Sequence, residues 1–198
     1  PELLTRQDVQ NLIDSLKRDH PKVVEEVIAH DRLSLGDVLK VLQNLLIEGV
    51  SIRGFLTIME TLADYCKNVK NPDTLTRYVR KALGRGMIRK YLTAEGKLIV
   101  VCLDRAVEDL LAAGLQQHEN GTTSLSLDPQ IAQKLLHSLA DAMKSFDKFG
   151  SLPVLMCGSL VRWDLRKLIF RFIPGVTVLA FDELPSELKT ETISLVSI

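Results

Sequence analysis

Apolar residues recur at three- and four-residue steps through residues 38–66, and this spacing predicts two helices that share a core. Ser34 and Asp37 form a capping-box pattern at the start of the first helix, and Gly49 suits its end. Ser51 is the predicted N-cap of the second helix. The two stripes are Leu35, Val38, Leu39, Leu42, Leu45 and Leu46, then Ile52, Phe55, Leu56, Met59, Leu62, Ala63 and Cys66.

The same period predicts helices on either side of this pair. Thr5 can cap a helix that ends near the His20–Pro21 pair, a short helix covers residues 21–28, and another begins at Asn71–Pro72. Residues 97–103 form a β-rich apolar run with the pattern of a strand buried on both faces, and residues 122–127 alternate as a second strand of the same small sheet.

A proline again marks a helix start at Asp128–Pro129, from which we expect a long helix to about residue 149. Beyond it, a strand at 153–157, a helix over 159–172 and a strand at 176–181 predict a βαβ unit with parallel strands, and residues 190–198 predict one more strand. The predicted fold class is α+β, with a mainly helical region followed by a small C-terminal α/β (βαβ) subdomain from about Asp128.

The composition of the chain limits the kinds of partner that it is expected to bind. The 198 residues carry 25 basic and 25 acidic side chains and are 46% hydrophobic, so they can bury a core and offer no excess charge to a nucleic acid. No apolar run approaches the roughly 18 to 20 residues that cross a bilayer, and no signal-peptide pattern is present. The chain begins at Pro1 without an initiator methionine. We therefore expect a fragment that makes no direct membrane contact, with any membrane attachment upstream.

The residues with catalytic potential do not form a site. Cys157–Gly158–Ser159 sits between a predicted strand and a helix N-terminus, where a thiolate or an anion is stabilised. Phosphate-cleaving loops of this kind carry an arginine six residues after the cysteine, but Trp163 occupies that place and the arginine is Arg162. A small cysteine-dependent hydrolase remains an alternative to a buried structural thiol. The four histidines lack zinc-ligand spacing, so no metal and no cofactor is expected.

One basic concentration stands out on the helix after Pro72, at Arg77, Arg80, Lys81 and Arg85. It is either a solvated helix face or a contact for an acidic protein partner or a neighbouring subunit. Arg162, Arg166 and Arg171 are expected to hold their guanidinium groups outward from the last helix. With neither a nucleophile–base pair nor a metal cage, the residues favour a non-enzymatic interaction module.

Several long segments in one order resemble the FHIPEP family, the large export-gate component of bacterial type III secretion, and most of all its flagellar, FlhA-type branch. The resemblance begins with KVLQNLLIEGVSIRGFLTIMETLADY, residues 40–65, which lies within the two helices predicted first. Further segments agree at 3–14, 75–85, 96–111, 124–130 and 153–184. The match covers nearly the whole chain.

The resemblance implies the later part of a cytoplasmic domain of a bacterial inner-membrane protein, whose membrane region is not in this chain. By family analogy, the domain forms a homo-oligomeric ring, a nonamer, that docks export chaperone–substrate complexes, contacts other export apparatus proteins and passes substrates to the channel. The virulence injectisome homologue is the alternative within the family. Four subdomains are implied: residues 1–29 as the rest of a helical second, 30–49 as a helix of the first, 50–127 as a helical third with short strands, and 128–198 as an α/β fourth.

The family's chaperone-binding depression lies between its first two subdomains, and alignment with it puts the depression at Pro1, Leu4 and Gly36. Leu4 suits a greasy dimple that accepts an amphipathic helix. Gly36 departs from the small hydroxyl residue expected there, and Pro1 departs from an acidic one.

Overall fold

In the computed structural model, which describes residues 4–29, 31–118 and 122–198, the chain divides into two units, Pro1–Met87 and Ile88–Ile198. The first unit is helical and the second is α/β, so the predicted α+β class is confirmed. The division into four subdomains stays a prediction.

Helices with apolar stripes make up the first unit: α1 (Arg6–Asp19), α2 (Pro21–Val27), α3 (Leu35–Ile47), α4 (Phe55–Tyr65) and α5 (Pro72–Ile88, whose last residue is assigned to the second unit). Capping boxes start α1 at Thr5 and α3 at Ser34, as the sequence predicts. The stripes of α3 and α4 meet in one buried cluster that also receives residues of α1, α2 and α5. The shared core is therefore confirmed.

The turn between α3 and α4 is longer than predicted. Gly49 has a φ of 67°, the left-handed conformation that ends α3. The N-cap of α4 is Gly54 and not Ser51, because Ser51 uses its hydroxyl locally to accept a hydrogen bond from the backbone N–H of Arg53 at 3.3 Å. Ile52 packs against the core from within this loop.

Parallel strands organise the second unit. Its elements are β1 (Leu98–Leu103), α6 (Arg105–Ala113), β2 (Leu115–Gln117), β3 (Thr123–Leu125), α7 (Pro129–Met143), β4 (Val154–Cys157), α8 (Arg162–Phe170), β5 (Thr177–Ala180) and β6 (Thr190–Val196). The main sheet has the order β5-β4-β1-β6 with every neighbouring pair parallel. The predicted β4–α8–β5 unit and the final strand are confirmed.

Strand β1 lies inside this sheet and is covered on both faces. Ile99, Val101 and Leu103 enter one buried cluster, whereas Leu98 and Val100 enter another on the opposite face. The prediction that residues 122–127 belong to the same sheet as β1 is wrong, because β3 pairs with β2 in a separate antiparallel ribbon. The sheet that contains β4 and β5 thus begins with β1, well before Asp128.

Candidate functional site

Helices α1 and α3 meet along the face to which the sequence assigns Leu4 and Gly36. The amide of Gln43 on α3 donates to the backbone carbonyl of Leu4 at 3.4 Å. A Cβ at Gly36 would lie 3.7 Å from a guanidinium nitrogen of Arg6, the first residue of α1. Gly36 and Gln43 are two helical turns apart, so Leu4 and Gly36 lie on the same side of α3 and roughly 10 Å apart along its axis. Pro1 lies outside the described residues.

Partly open leucines and polar side chains share the surface around this contact. Leu4 is half-buried, as are Leu35 and Leu39 of α3, and all three pack against the helical core. Arg6 is exposed beside Gly36. A Cβ at Gly36 would meet its neighbours at ordinary van der Waals distances, the nearest being the Ser34 hydroxyl at 3.5 Å. The face therefore offers a strip of three half-buried leucines, Leu4, Leu35 and Leu39, flanked by the exposed cations Arg6 and Lys40. Such a combination suits an amphipathic segment.

The basic set on α5 is not one surface. Arg77, Lys81 and Arg85 are exposed, but Arg80 is buried, and its guanidinium lies 3.2 Å from the equally buried carboxylate of Glu48. The outward placement of Arg80 is therefore wrong. The physical reason is that its position on the inner face of α5 is matched by a carboxylate at the C-cap of α3, which offsets part of the desolvation penalty. Arg77, Lys81 and Arg85 keep the predicted exposed stripe.

A polar contact that sequence reasoning missed extends the buried ion pair. Asn44, which is buried, donates from its amide to the carboxylate of Asp73 at 2.9 Å and to the hydroxyl of Thr76 at 3.2 Å. The available signal was the pair Asn44 and Glu48, which are four residues apart and hence on one face of the helix, among its apolar positions.

The Cys157 loop does not form a reactive site. Cys157 is fully buried, and its thiol points at the carbonyl of Leu179. The adjacent backbone N–H of Gly158, which an anion would need, already donates to the carboxylate of Glu108 at 2.9 Å. An internal carboxylate thus occupies the start of the loop before α8. The condition for a cysteine-dependent hydrolase, an exposed Cys157, is not met.

Arg162, at the start of α8, also differs from its prediction. It is buried rather than outward, and its Nε lies 3.5 Å from the carboxylate of buried Glu183. The same carboxylate accepts the backbone N–H of Ala180 at 3.1 Å. The pair therefore ties the first turn of α8 to the end of β5.

Among residues 4–29, 31–118 and 122–198, two other kinds of site were considered, a metal site and an open cleft. No group of three or more metal-ligating side chains occurs in these ranges, and His30 falls outside them. An open cleft of about 710 Å³ lies beside α7, but its one histidine, His137, is exposed and pairs with Asp141.

Burial raises the pKa of the Cys102 thiol above its ordinary value of 9.0. Within the part of the chain that the structure covers, no helix has the length and apolar character to cross a bilayer.

Comparison with known proteins supplies what the site alone does not. The profile of the FHIPEP family matches residues 1–189. The flagellar biosynthesis protein FlhA of Bacillus subtilis is 39% identical over 197 residues, which is 100% of this chain and 29% of the relative. The chain therefore spans less than a third of the length of that relative.

Two solved structures share the fold of nearly the whole chain. The Chlamydia pneumoniae CdsV protein, solved in a complex with CdsO, has a TM-score of 0.90 and 27% identity, covering 99% of this chain and 57% of that one. The EscV cytosolic domain of a type III secretion system, solved as a nonamer, has a TM-score of 0.83 and 26% identity, covering 100% of this chain and 57% of that one.

Proposed function

Since the chain belongs to the FHIPEP family, we propose that it is part of the cytoplasmic docking platform of a bacterial protein export gate, in the flagellar branch. The family profile spans residues 1–189, and the relative from Bacillus subtilis, at 39% identity, carries a flagellar name. The CdsV and EscV structures share 27% and 26% identity with this chain over the same fold, and the EscV domain belongs to a type III secretion system. The proposed activity is binding, with no enzymatic step.

The observation that carries the proposal is the apolar face between α1 and α3. Leu4 and Gly36 share that face, although they are 32 positions apart in the sequence, and half-buried Leu39 lies between Gly36 and Gln43 on α3. We propose that an export chaperone, with its substrate, lays an amphipathic helix on this strip, with a few apolar anchors at Leu4 and its neighbours. A single such contact is weak, and several copies in a ring raise the effective concentration.

The ring itself is part of the proposal. The nonameric EscV cytosolic domain supports a homo-oligomer for this chain, and the CdsV–CdsO complex supports a contact with another export apparatus protein. On this chain, the exposed stripe of Arg77, Lys81 and Arg85 is the proposed contact for an acidic face of a neighbouring subunit or partner. Buried Arg80 is excluded from it.

The test of the docking face is Leu4→Asp. A carboxylate placed among the apolar anchors must be desolvated when a helix covers it, so we expect chaperone–substrate binding to be lost with little change in folding. The matched control is Leu160→Asp, the same substitution at a leucine of the second unit that is 58% exposed. Binding is measured by isothermal titration against the flagellar chaperone–substrate complexes of the source bacterium.

A second variant guards against a folding effect at half-buried Leu4. Gly36→Gln adds a side chain where the Cβ has ordinary contacts, so it covers the strip without a clash at its base. We expect weaker binding and an unchanged circular dichroism spectrum. Affinity equal to that of the wild-type chain in both variants would contradict the assignment of this face.

The test of the basic stripe is the paired variant Arg77→Glu/Lys81→Glu. Charge reversal on both residues converts attraction into repulsion, so we expect the oligomer population to fall, and to fall most at low salt, because surface charges are screened over about 10 Å at 0.1 M ionic strength. Mass photometry at two salt concentrations measures this. An unchanged distribution, with unchanged binding of export apparatus partners, would remove the stripe from the proposal.

The virulence injectisome role is the second candidate, favoured by the secretion-system names of the solved relatives. A chimera decides between them. Residues 1–198 replace the corresponding segment of a flagellar export gate protein and, separately, of an injectisome export gate protein. Swimming motility is measured for the first chimera and effector secretion for the second. We expect motility to be restored and secretion not.

A further inference from the structure

Two buried polar contacts join α3 to α5 in the same order along both helices. Asn44 meets Asp73 and Thr76, and Glu48, four residues later, meets Arg80. Both helices therefore advance in the same direction across this contact. The four-residue step on α3 matches the step from Thr76 to Arg80 on α5.

The apolar residues around this seam do not define the alignment of the helices by themselves. Leu45 and Leu42 on α3, and Leu75 and Val79 on α5, are all fully buried in one cluster. Aliphatic side chains repeat at nearly one-turn intervals on both helices, so a slip of one turn, about 5.4 Å, again places apolar groups opposite apolar groups. Because apolar burial is non-directional, the area that is buried does not by itself distinguish one register from the next.

The polar contacts oppose it strongly. After a one-turn slip the Arg80 guanidinium would leave Glu48, and both charges would stay buried without each other. Breaking a buried ion pair is far more costly than replacing the pair by apolar groups, and selection of a single register is the best-attested role of buried polar groups between helices.

We propose that the Glu48–Arg80 pair, together with Asn44, sets the axial register of α5 against α3. These are positioning residues, since they lie on the inner faces of the helices and touch no proposed ligand. The consequence for binding rests on the proposed function: the N-terminal half of α3 bears Gly36, so a register lock at its C-terminal end holds the docking strip at a defined height relative to α5.

The experiment measures the register directly. Spin labels are placed at Lys40 on α3 and Lys81 on α5, both exposed, with Cys102 replaced by serine because Cys66 and Cys157 are fully buried. With Glu48 level with Arg80, Lys40 lies about nine residues, or about 13 Å, before the level of Lys81 along the axis. A one-turn slip therefore changes the label distance by about 3 to 5 Å, which double electron–electron resonance resolves.

Three chains are compared. The wild-type chain and the swapped pair Glu48→Arg/Arg80→Glu, which keeps opposite charges in register, are expected to give one distance. The apolar pair Glu48→Met/Arg80→Met is expected to remain helical and to give two distances, or one broadened by several ångström. A single unchanged distance in the apolar pair overturns the inference.

If the apolar pair does not fold, Glu48→Gln/Arg80→Met takes its place, because it removes both charges and keeps one hydrogen-bonding group. A single unchanged distance there overturns the inference equally. The same variants are titrated with a chaperone–substrate complex that binds the wild-type chain, and a several-fold loss of affinity is expected wherever a second distance appears. Two distances with unchanged affinity would overturn the link to the docking strip but not the register lock. Absence of binding by the wild-type chain would count against the proposed function alone.

Discussion

Arg162→Met tests the buried ion pair of the second unit most sharply. Removing Arg162 leaves the Glu183 carboxylate buried without the guanidinium that lies 3.5 Å away. Breaking a buried pair from one side costs about 3 to 5 kcal/mol. The backbone N–H of Ala180 still donates to that carboxylate at 3.1 Å, so we place the loss at the lower end, about 3 kcal/mol. With a urea m-value of about 2 kcal/mol/M for a small domain, the midpoint should fall by about 1.5 M.

The assay is urea unfolding followed by the fluorescence of Trp163, the one tryptophan of the chain, which lies next to Arg162 in α8. Arg171→Met is the matched control, because Arg171 is exposed at the end of the same helix. It should lose no more than about 1 kcal/mol, mostly from its interaction with the helix dipole.

A double variant separates charge burial from lost packing. In Arg162→Met/Glu183→Gln the amide oxygen can still accept from Ala180 while the charge is gone, so about 2 kcal/mol of the loss should return. If Arg162→Met were no less stable than Arg171→Met, or if the double variant recovered nothing, the reasoning that loss of the counter-charge to a buried carboxylate dominates would be refuted.

Two further predictions concern a glycine of the second unit and the three cysteines of the chain. A Cβ at Gly114 would lie 2.7 Å from the backbone carbonyl oxygen of Ser126. Gly114→Ala should therefore force the β2–β3 ribbon outward and lower the free energy of unfolding by about 1 to 3 kcal/mol in the same urea assay. A loss below about 0.5 kcal/mol, the size of an ordinary surface effect, would contradict this. After iodoacetamide treatment at pH 7.5, mass spectrometry should find the folded chain almost unmodified, because Cys66 and Cys157 are buried and the raised pKa of Cys102 leaves little thiolate. In urea all three cysteines should react. Rapid modification of Cys157 in the folded chain would contradict its buried position.

Local sequence rules were sufficient for the helices that carry the site. The capping boxes at Thr5 and Ser34, the left-handed Gly49 and the prolines at the starts of α2, α5 and α7 all act within a few residues of themselves. Such signals do not depend on what lies across the core. The Ser51 cap is the exception, because its hydroxyl bonds within the turn and α4 starts later.

Strand pairing was predicted less well because it is not local. The β-rich apolar run at residues 97–103 predicted a strand buried on both faces. Nothing in that segment indicates which strand it pairs with. Its partners β4 and β6 come about fifty and ninety residues later. The strand nearest in sequence, β2, pairs instead with β3, which begins at Thr123.

The sequence by itself determined the family, the α+β class, the helix boundaries that depend on caps, and the positions to test for docking. Only the tertiary structure decided whether each of these charged side chains is exposed or buried. Arg77 and Arg80 are three residues apart on one helix, and Arg162 and Arg171 lie at opposite ends of another, yet one of each pair is exposed and the other is buried against a carboxylate from a distant segment. The cost of burying a charge depends on whether a counter-charge meets it. That meeting exists only once α3 lies beside α5, and once the end of β5 lies beside α8.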